Sequence, residues 1–111
     1  MDERKYAMPI AFRRALNQDF DCCRRLYFDE MKWIIEELHL DRAAQALSFQ
    51  QQWEVTQVRI ITLDGDVGWL QTLTQNDELF IAQLFVDRYF QRRGIGTEVM
   101  KRLIREAAQL N

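Results

Sequence analysis

The residues with the clearest chemical potential form one short segment, Gln91-Arg92-Arg93-Gly94-Ile95-Gly96-Thr97, named here the glycine loop (residues 91–97). An apolar run precedes it and an amphipathic stretch follows, an order typical of strand, loop and helix. Glycines at such a bend let backbone N–H groups converge, and the free N–H groups at a helix N-terminus add partial positive charge. The glycine loop therefore predicts a diphosphate site, to which Arg92 and Arg93 would add charge-assisted contacts.

Two other kinds of phosphate-binding loop do not fit these residues. A Walker A loop needs Lys and then Ser or Thr after its last glycine, but Thr97-Glu98 follows Gly96. A dinucleotide-binding fingerprint needs a third glycine three residues after Gly96, where Val99 stands. The remaining alternatives are that the glycines only form a turn and that the arginines are solvated loop charge.

The first half of the chain predicts two helices, the first of which is amphipathic. Apolar residues recur at three- and four-residue steps from residue 20 to about residue 38, with Asn17 or Asp19 as the capping residue. Asp41 is expected to cap a second helix that reaches the glutamines at residues 50–52. A third helix is predicted after the glycine loop, with an apolar stripe made of Val99, Leu103, Ala107 and Leu110.

Between the helices, the pattern predicts an antiparallel meander. β-branched residues favour a strand over residues 54–63, Asp64-Gly65 favours a tight turn, and residues 67–73 would return. After a second turn at residues 74–77, the segment 79–86 is apolar on both faces, as expected for a central strand covered by helices. An extended segment at residues 9–13 precedes all of these elements.

Composition limits the classes of protein and partner. The 111 residues are 48% hydrophobic and 29% charged, the balance of one soluble globular domain over residues 1–111. A net charge of -2 offers no global field for nucleic acid or an anionic membrane, and no apolar run approaches the ~20 residues that span a bilayer. Adjacent Cys22 and Cys23 favour a reducing compartment, and a single histidine, His39, gives no metal cluster. We expect a cytoplasmic protein without metal, nucleic acid or membrane partners.

The pattern Gln91-x-x-Gly94-x-Gly96 resembles the Gln/Arg-x-x-Gly-x-Gly/Ala signature of the GNAT superfamily of acetyl-CoA-dependent N-acyltransferases. In that family the signature follows the fourth strand and opens the third helix, which is the order predicted above. The resemblance implies an α+β, three-layer fold with N-terminal helices, an antiparallel meander of three to four strands, and then the helix that follows the diphosphate loop. It also implies a function, the transfer of an acetyl group from acetyl-CoA to an amine acceptor.

The resemblance further implies where acetyl-CoA would bind. Its pantetheine arm would pair with the backbone at Leu84, Phe85 and Val86, where a backbone N–H would polarise the thioester carbonyl. No metal is implied. The remaining residues expected to bind the cosubstrate are Gln91, Arg92, Arg93, Gly94, Ile95, Gly96 and Thr97.

The acceptor side is less defined by the sequence. Glu78, at the start of the predicted strand, is the candidate general base, and a solvated charge beside a turn is the alternative interpretation. Glu36, Glu37 and Asp41 lie where acceptors enter in the family and would favour a cationic amine, unless they form an ordinary wet helix face.

Members of the family continue beyond the third helix with another strand, a fourth helix that often carries a tyrosine general acid, and closing strands. None of Tyr6, Tyr27 and Tyr89 occupies the position of that tyrosine, and the sequence stops at Asn111. We therefore expect the C-terminal half of the fold to be absent and this chain by itself to have little or no turnover. The alternative function is a non-catalytic module that binds CoA or another protein.

Such an arrangement would leave the strand at residues 79–86 with an unpaired edge. Proteins relieve an exposed apolar edge by pairing chains, so a homodimer or an assembly with exchanged segments is expected.

Overall fold

Three α-helices and one antiparallel sheet of four strands form the described part of the chain, residues 9–110 of the computed structural model. Tyr6 and the start of the domain expected over residues 1–111 lie outside the described residues. The strands lie side by side in the order β1-β2-β3-β4. In chain order the elements are β1 (Ala11–Arg14), α1 (Phe20–Glu37), α2 (Arg42–Gln52), β2 (Val58–Thr62), β3 (Asp66–Gln75), β4 (Glu78–Val86) and α3 (Ile95–Ala108).

Helices cover both faces of the sheet, which gives three layers and confirms the expected α+β fold. Side chains on α1 and α2 pack with one face of the sheet, and the apolar stripe of α3 packs with the other. The buried cluster under α1 and α2 consists of Ala15, Cys23, Tyr27, Phe28, Ile35, Phe49, Val58, Ile60 and Trp69. The buried cluster under α3 consists of Ile10, Ile61, Val67, Leu70, Ile95, Val99 and Leu103.

The structure confirms the predicted capping residue of α2 but not that of α1. The carboxylate of Asp41 accepts the N–H of Ala43 at 3.0 Å and caps α2, as predicted. Asp19 stands at the N-cap position of α1 but makes no cap hydrogen bond there. Its carboxylate instead accepts the backbone N–H of Leu16 and pairs with Arg13.

Two strand boundaries differ from the prediction. The extended segment at residues 9–13 enters the sheet as β1, which pairs antiparallel with β2. The strand expected over residues 54–63 begins only at Val58, because Val55–Gln57 forms a 3-10 turn that closes with a hydrogen bond from Gln57 to Glu54.

The interpretation of residues 79–86 as a central strand is wrong, because within residues 9–110 β4 lies at the edge of the sheet and pairs only with β3. Near its start Phe80 is 45% exposed and Ile81 is 40% exposed, so the apolar pattern there does not reflect coverage by helices. The preceding turn is also shorter than expected. It contains only Asn76 and Asp77, both with positive φ, while residues 74 and 75 belong to β3.

Close contact between β3 and β4 depends on Gly68. A Cβ atom at this position would lie 2.3 Å from the carbonyl oxygen of Phe85 and 3.0 Å from the Cα of Val86. The first distance is far inside van der Waals contact, and both neighbours are backbone atoms that cannot rotate away. Only glycine therefore allows the two strands to pair at this point.

We predict that Gly68→Ala lowers the free energy of unfolding by about 2–3 kcal/mol, because β4 must move away from β3 to admit the methyl group. Urea unfolding followed by circular dichroism measures the change. Gly96→Ala is the matched control, since a Cβ there meets nothing within 4 Å. Equal stability of the Gly68→Ala protein and the wild type would contradict this account of the strand contact.

One charged network joins β1, the start of α1 and the hairpin between β2 and β3. The guanidinium of Arg13 donates to both carboxylate oxygens of Asp19, at 2.9 and 3.0 Å, and also to Asp66 at 2.8 Å. The hydrogen bonds from Arg13 hold the pKa of Asp19 below its usual range, assisted by the N–H of Leu16.

This depressed pKa predicts a specific loss of stability in acid. The folded protein binds fewer protons at Asp19 than the unfolded chain does, so the contribution is present above the unfolded pKa of about 4 and is lost as the pH falls through the folded pKa. We predict that Asp19→Asn destabilises the protein by about 1–2 kcal/mol at pH 7 and by much less at pH 2.

Urea unfolding of both proteins across this pH range tests the prediction. Asp21→Asn is the control, because its ion pair with Arg24 is on the surface and is expected to contribute little. A difference between wild type and Asp19→Asn that does not shrink in acid would argue against the ion pair as its cause.

Candidate functional site

The last residues of β4 present part of their backbone at the open edge of the sheet. The N–H of Asp87 donates to the carbonyl of Val67 on β3 at 2.8 Å. Hydrogen-bonding direction alternates along a strand, so Phe85 also directs its backbone groups toward β3. The N–H and C=O groups of Leu84 and Val86 therefore face away from β3, at the free edge, where the Val86 carbonyl accepts a hydrogen bond from the Gln91 side chain.

A β-bulge lies just before this stretch. Gln71 of β3 lies opposite Gln83 of β4. The next residue, Thr72, lies opposite Ile81, so Ala82 is the extra residue on β4. A bulge bends the strand and resets which groups face its edge. It thus separates the exposed beginning of β4 from residues 83–86.

Side chains fix the end of β4 from both sides of the sheet. The ring centroid of Phe85 lies 5.5 Å from that of Trp69 and 5.6 Å from that of Tyr27 on α1. Leu84 and Val86 pack on the opposite face, against the cluster under α3. Of the three residues that sequence analysis placed beside the cosubstrate, only Leu84 and Val86 have backbone groups at the free edge.

After β4 the chain makes two short turns before α3. The carboxylate of Asp87 accepts the N–H of Tyr89 at 2.9 Å and caps the 3-10 turn Arg88–Phe90. Arg92 has a φ of 64° and Gly94 has a φ of 83°. The second value suits glycine, which has no Cβ to penalise the left-handed conformation. These two residues reverse the chain so that α3 begins beside the end of β4.

The entrance of α3 is anchored on one side and open on the other. Ile95 is only 1% exposed and packs with Val99 and Leu103, so its backbone alone is left for a ligand. The first hydrogen bond of the helix runs from the N–H of Glu98 to Gly94 at 2.9 Å. The N–H groups of residues 95–97 precede this bond and are not used by the helix. A Cβ at Gly96 would meet nothing within 4 Å, so there is open space over this turn.

The two arginines of the glycine loop are both exposed, as is Thr97. The guanidinium of Arg93 lies over the ring of Phe90, 5.6 Å from its centroid, a geometry that orients the side chain without neutralising it. Together with the helix entrance, Arg92 and Arg93 give a local concentration of positive charge in a protein whose net charge is -2.

Gln91 is placed differently from its neighbours. Its side-chain Nε2 donates to the carbonyl of Val86 at 2.8 Å and to the carboxylate of Glu30 on α1 at 2.8 Å. Nothing in the sequence singles out Glu30, because it is 61 residues away from Gln91 and belongs to no recognisable motif.

Residues considered for the acceptor side lie apart from the glycine loop. Glu78 is exposed at the first position of β4, six residues before Leu84, which is about 20 Å along an extended strand. Glu36, Glu37 and Asp41 are exposed around the junction of α1 and α2, where Asp41 serves as the cap of α2.

Residues 9–110 also contain features outside the glycine loop and β4. A cavity of about 180 Å³ lies between α1 and the start of β3, and none of the expected site residues lines it. Within the same residues, no three His, Cys, Asp or Glu side chains are grouped so as to hold a metal ion. No helix in this range has the length and apolar character needed to cross a membrane.

Comparison with known proteins agrees with this geometry. The sequence profile of the Acetyltransferase (GNAT) family matches residues 12–111. N-acetylglutamate synthase from Neisseria gonorrhoeae, solved with coenzyme A and N-acetyl-glutamate, is similar over 92% of this chain and 23% of its own length, with a TM-score of 0.60 and 20% identity. No curated protein matches the sequence significantly.

Two further solved structures share the fold. An acetyltransferase described as putative, from Pyrococcus horikoshii, has a TM-score of 0.61 and 22% identity over 94% of this chain and 36% of its own. A possible acetyltransferase from Clostridium difficile 630 has a TM-score of 0.62 and 18% identity over 86% of this chain and 69% of its own. The chain thus spans only 23% and 36% of the first two of these proteins.

Proposed function

The chain belongs to the GNAT family of acetyltransferases, and on this basis we propose that it binds acetyl-CoA along the end of β4 and the entrance of α3 and transfers the acetyl group to an amine. One observation carries the proposal. Backbone groups at the free edge of Leu84 and Val86 are followed, after two turns, by the unused N–H groups at residues 95–97. The gonococcal synthase, solved with coenzyme A, supports the choice of cosubstrate.

The glycine loop would hold the diphosphate. Backbone N–H groups of residues 95–97 would donate to its oxygens, and the partial positive charge of the helix entrance would favour the anion. The open space over Gly96 would let the diphosphate approach the backbone closely. Arg92 and Arg93 would add charge-assisted contacts from the solvent side.

The end of β4 would hold the pantetheine arm and the thioester. Pairing with the free edge would add the arm to the sheet like a further strand. A backbone N–H of Leu84 or Val86 would then donate to the thioester oxygen and stabilise the negative charge that develops there when the amine nitrogen attacks the carbonyl carbon. The carbon–nitrogen bond forms and the carbon–sulfur bond breaks. The attacking nitrogen gives up one proton, and CoA leaves as the thiol after taking one up.

The acceptor is proposed only as an amine. Glu36, Glu37 and Asp41 support a cationic acceptor, since three carboxylates are exposed around one junction of helices. The proposal assigns no step to Glu78, because about 20 Å of strand separate it from Leu84.

We further propose a cytoplasmic protein that uses β4 in two ways. Residues before the bulge at Ala82 include the exposed Phe80 and Ile81, which suit pairing with a second copy or with an exchanged segment. Residues after the bulge are left for acetyl-CoA. The net charge of -2 supports the absence of nucleic-acid and anionic-membrane partners.

We predict that Gly96→Leu weakens CoA binding at least about 30-fold, because the side chain fills the space that the diphosphate needs and removes several hydrogen bonds. Isothermal titration calorimetry with CoA measures the effect. Lys101→Leu is the matched control, an exposed position farther along the same helix, and is expected to bind like the wild type.

Two results would contradict the proposal. One is a wild-type protein that gives no binding heat with CoA, and the other is equal affinity of Gly96→Leu and wild type. A thiol-release assay with acetyl-CoA and small amines then distinguishes acetyl transfer from non-catalytic binding of CoA. Binding without release of CoA thiol would favour the non-catalytic module.

A further inference from the structure

The side chain of Gln91 uses both of its N–H donors within the protein. One goes to the carbonyl of Val86 and the other to the carboxylate of Glu30, each at 2.8 Å. An amide group has two N–H donors and no more. What remains is its carbonyl oxygen, which accepts hydrogen bonds and cannot bind a phosphate oxygen.

The two acceptors belong to separate parts of the fold. Val86 is the last residue of β4, and Glu30 lies in the second half of α1. The amide thus joins the strand, the helix and the start of the glycine loop at a single point. The hydrogen bond to the carboxylate is charge-assisted and is therefore the stronger of the two.

Packing fixes α1 and β4 relative to each other, but it holds the glycine loop less firmly. Tyr27, one turn before Glu30 on α1, packs against Phe85, so α1 is already fixed relative to β4. Between Gln91 and Ile95, Arg93 lies over the ring of Phe90, and Arg92 and Gly94 both have positive φ. The Gln91 side chain links the loop directly to both α1 and β4.

On the basis of the proposed function, we propose that Glu30 and Gln91 are a pair of positioning residues for the diphosphate site. Gln91 supports the glycine loop and is not a ligand of acetyl-CoA, and Glu30 acts through Gln91. This assignment differs from the role that the sequence suggests for Gln91, and it adds a residue from α1 to the site.

The two roles of Gln91 predict opposite effects of removing Glu30. If Gln91 were a ligand, Glu30→Ala would free one N–H donor and remove a negative charge near the diphosphate, so CoA would bind more tightly. If Gln91 is a support, Glu30→Ala loosens the loop, and CoA binds about 5- to 10-fold more weakly.

The experiment compares CoA affinities of single and double variants by calorimetry. Gln91→Met keeps the length of the side chain and removes both donors, so it is expected to weaken binding by the same 5- to 10-fold as Glu30→Ala. The double variant should be no weaker than Gln91→Met alone, because the same contact is lost in each. Asp29→Ala, an exposed neighbour on α1 with the same change of charge, is expected to bind like the wild type.

Conservative variants supply the rescue. Glu30→Gln retains an oxygen that accepts from Gln91, and Gln91→Arg retains donors for both partners, so each should bind CoA within about threefold of wild type. Tighter binding by Glu30→Ala, or full additivity of the two single variants, would overturn the positioning role.

Hydrogen exchange of the ligand-free protein tests the pair independently of CoA. Backbone amides of residues 92–97 should exchange faster in Gln91→Met and in Glu30→Ala than in the wild type, the Asp29→Ala control and Gln91→Arg. Unchanged exchange in both variants would overturn this inference even where CoA binds. A wild-type protein that shows the exchange pattern but no affinity for CoA would instead remove the proposed function and leave the contact as a structural one.

Discussion

The candidate site depends on the pairing of β4 with β3, because β4 has no other neighbour in the described sheet. This single ladder fixes which backbone groups of Leu84 and Val86 remain at the free edge. Gly68 makes the pairing possible by letting the Phe85 carbonyl approach where any side chain would collide. The ring of Phe85 then secures the same residue against Trp69 and Tyr27. One strand edge is thus held rigid while the other stays open for a ligand.

Local sequence patterns predicted the helices and strands well, but they predicted poorly which strands lie next to each other in the sheet. The cap at Asp41 and the order of strand, glycine loop and α3 were readable because each depends on residues close in sequence. The apolar pattern of β4 did not by itself reveal the edge position, since apolar residues on both faces are equally compatible with a covered central strand and with an edge strand. The unpaired edge was expected only from the family resemblance.

The same distinction applies to the site. The types and spacing of the glycines and arginines in the glycine loop predict an anion site. The role of Gln91 depends instead on its hydrogen bonds to Val86 and Glu30, which only the fold brings together. Its partner Glu30 is 61 residues away, and a glutamate on an amphipathic helix carries no signal of its own. Likewise, only the strand register reveals that the backbone groups of Phe85 are directed at β3, whereas those of Leu84 and Val86 are not.

The carboxylate of Glu30 near a diphosphate site would repel the anion. Whether it is tolerated depends on how this repulsion compares with the hydrogen bond that Glu30 accepts from Gln91. At a separation of about 10 Å in water, two unit charges repel by only about 0.4 kcal/mol, and salt reduces this further. An exposed hydrogen bond that fixes the loop contributes about 0.5–1.5 kcal/mol, in line with the 5- to 10-fold change expected in CoA affinity. Exposed Arg92 and Arg93 also lie nearer to the helix entrance along the chain and offset the remaining repulsion. The balance favours keeping the negative charge of Glu30, provided that Gln91 stands between it and the anion.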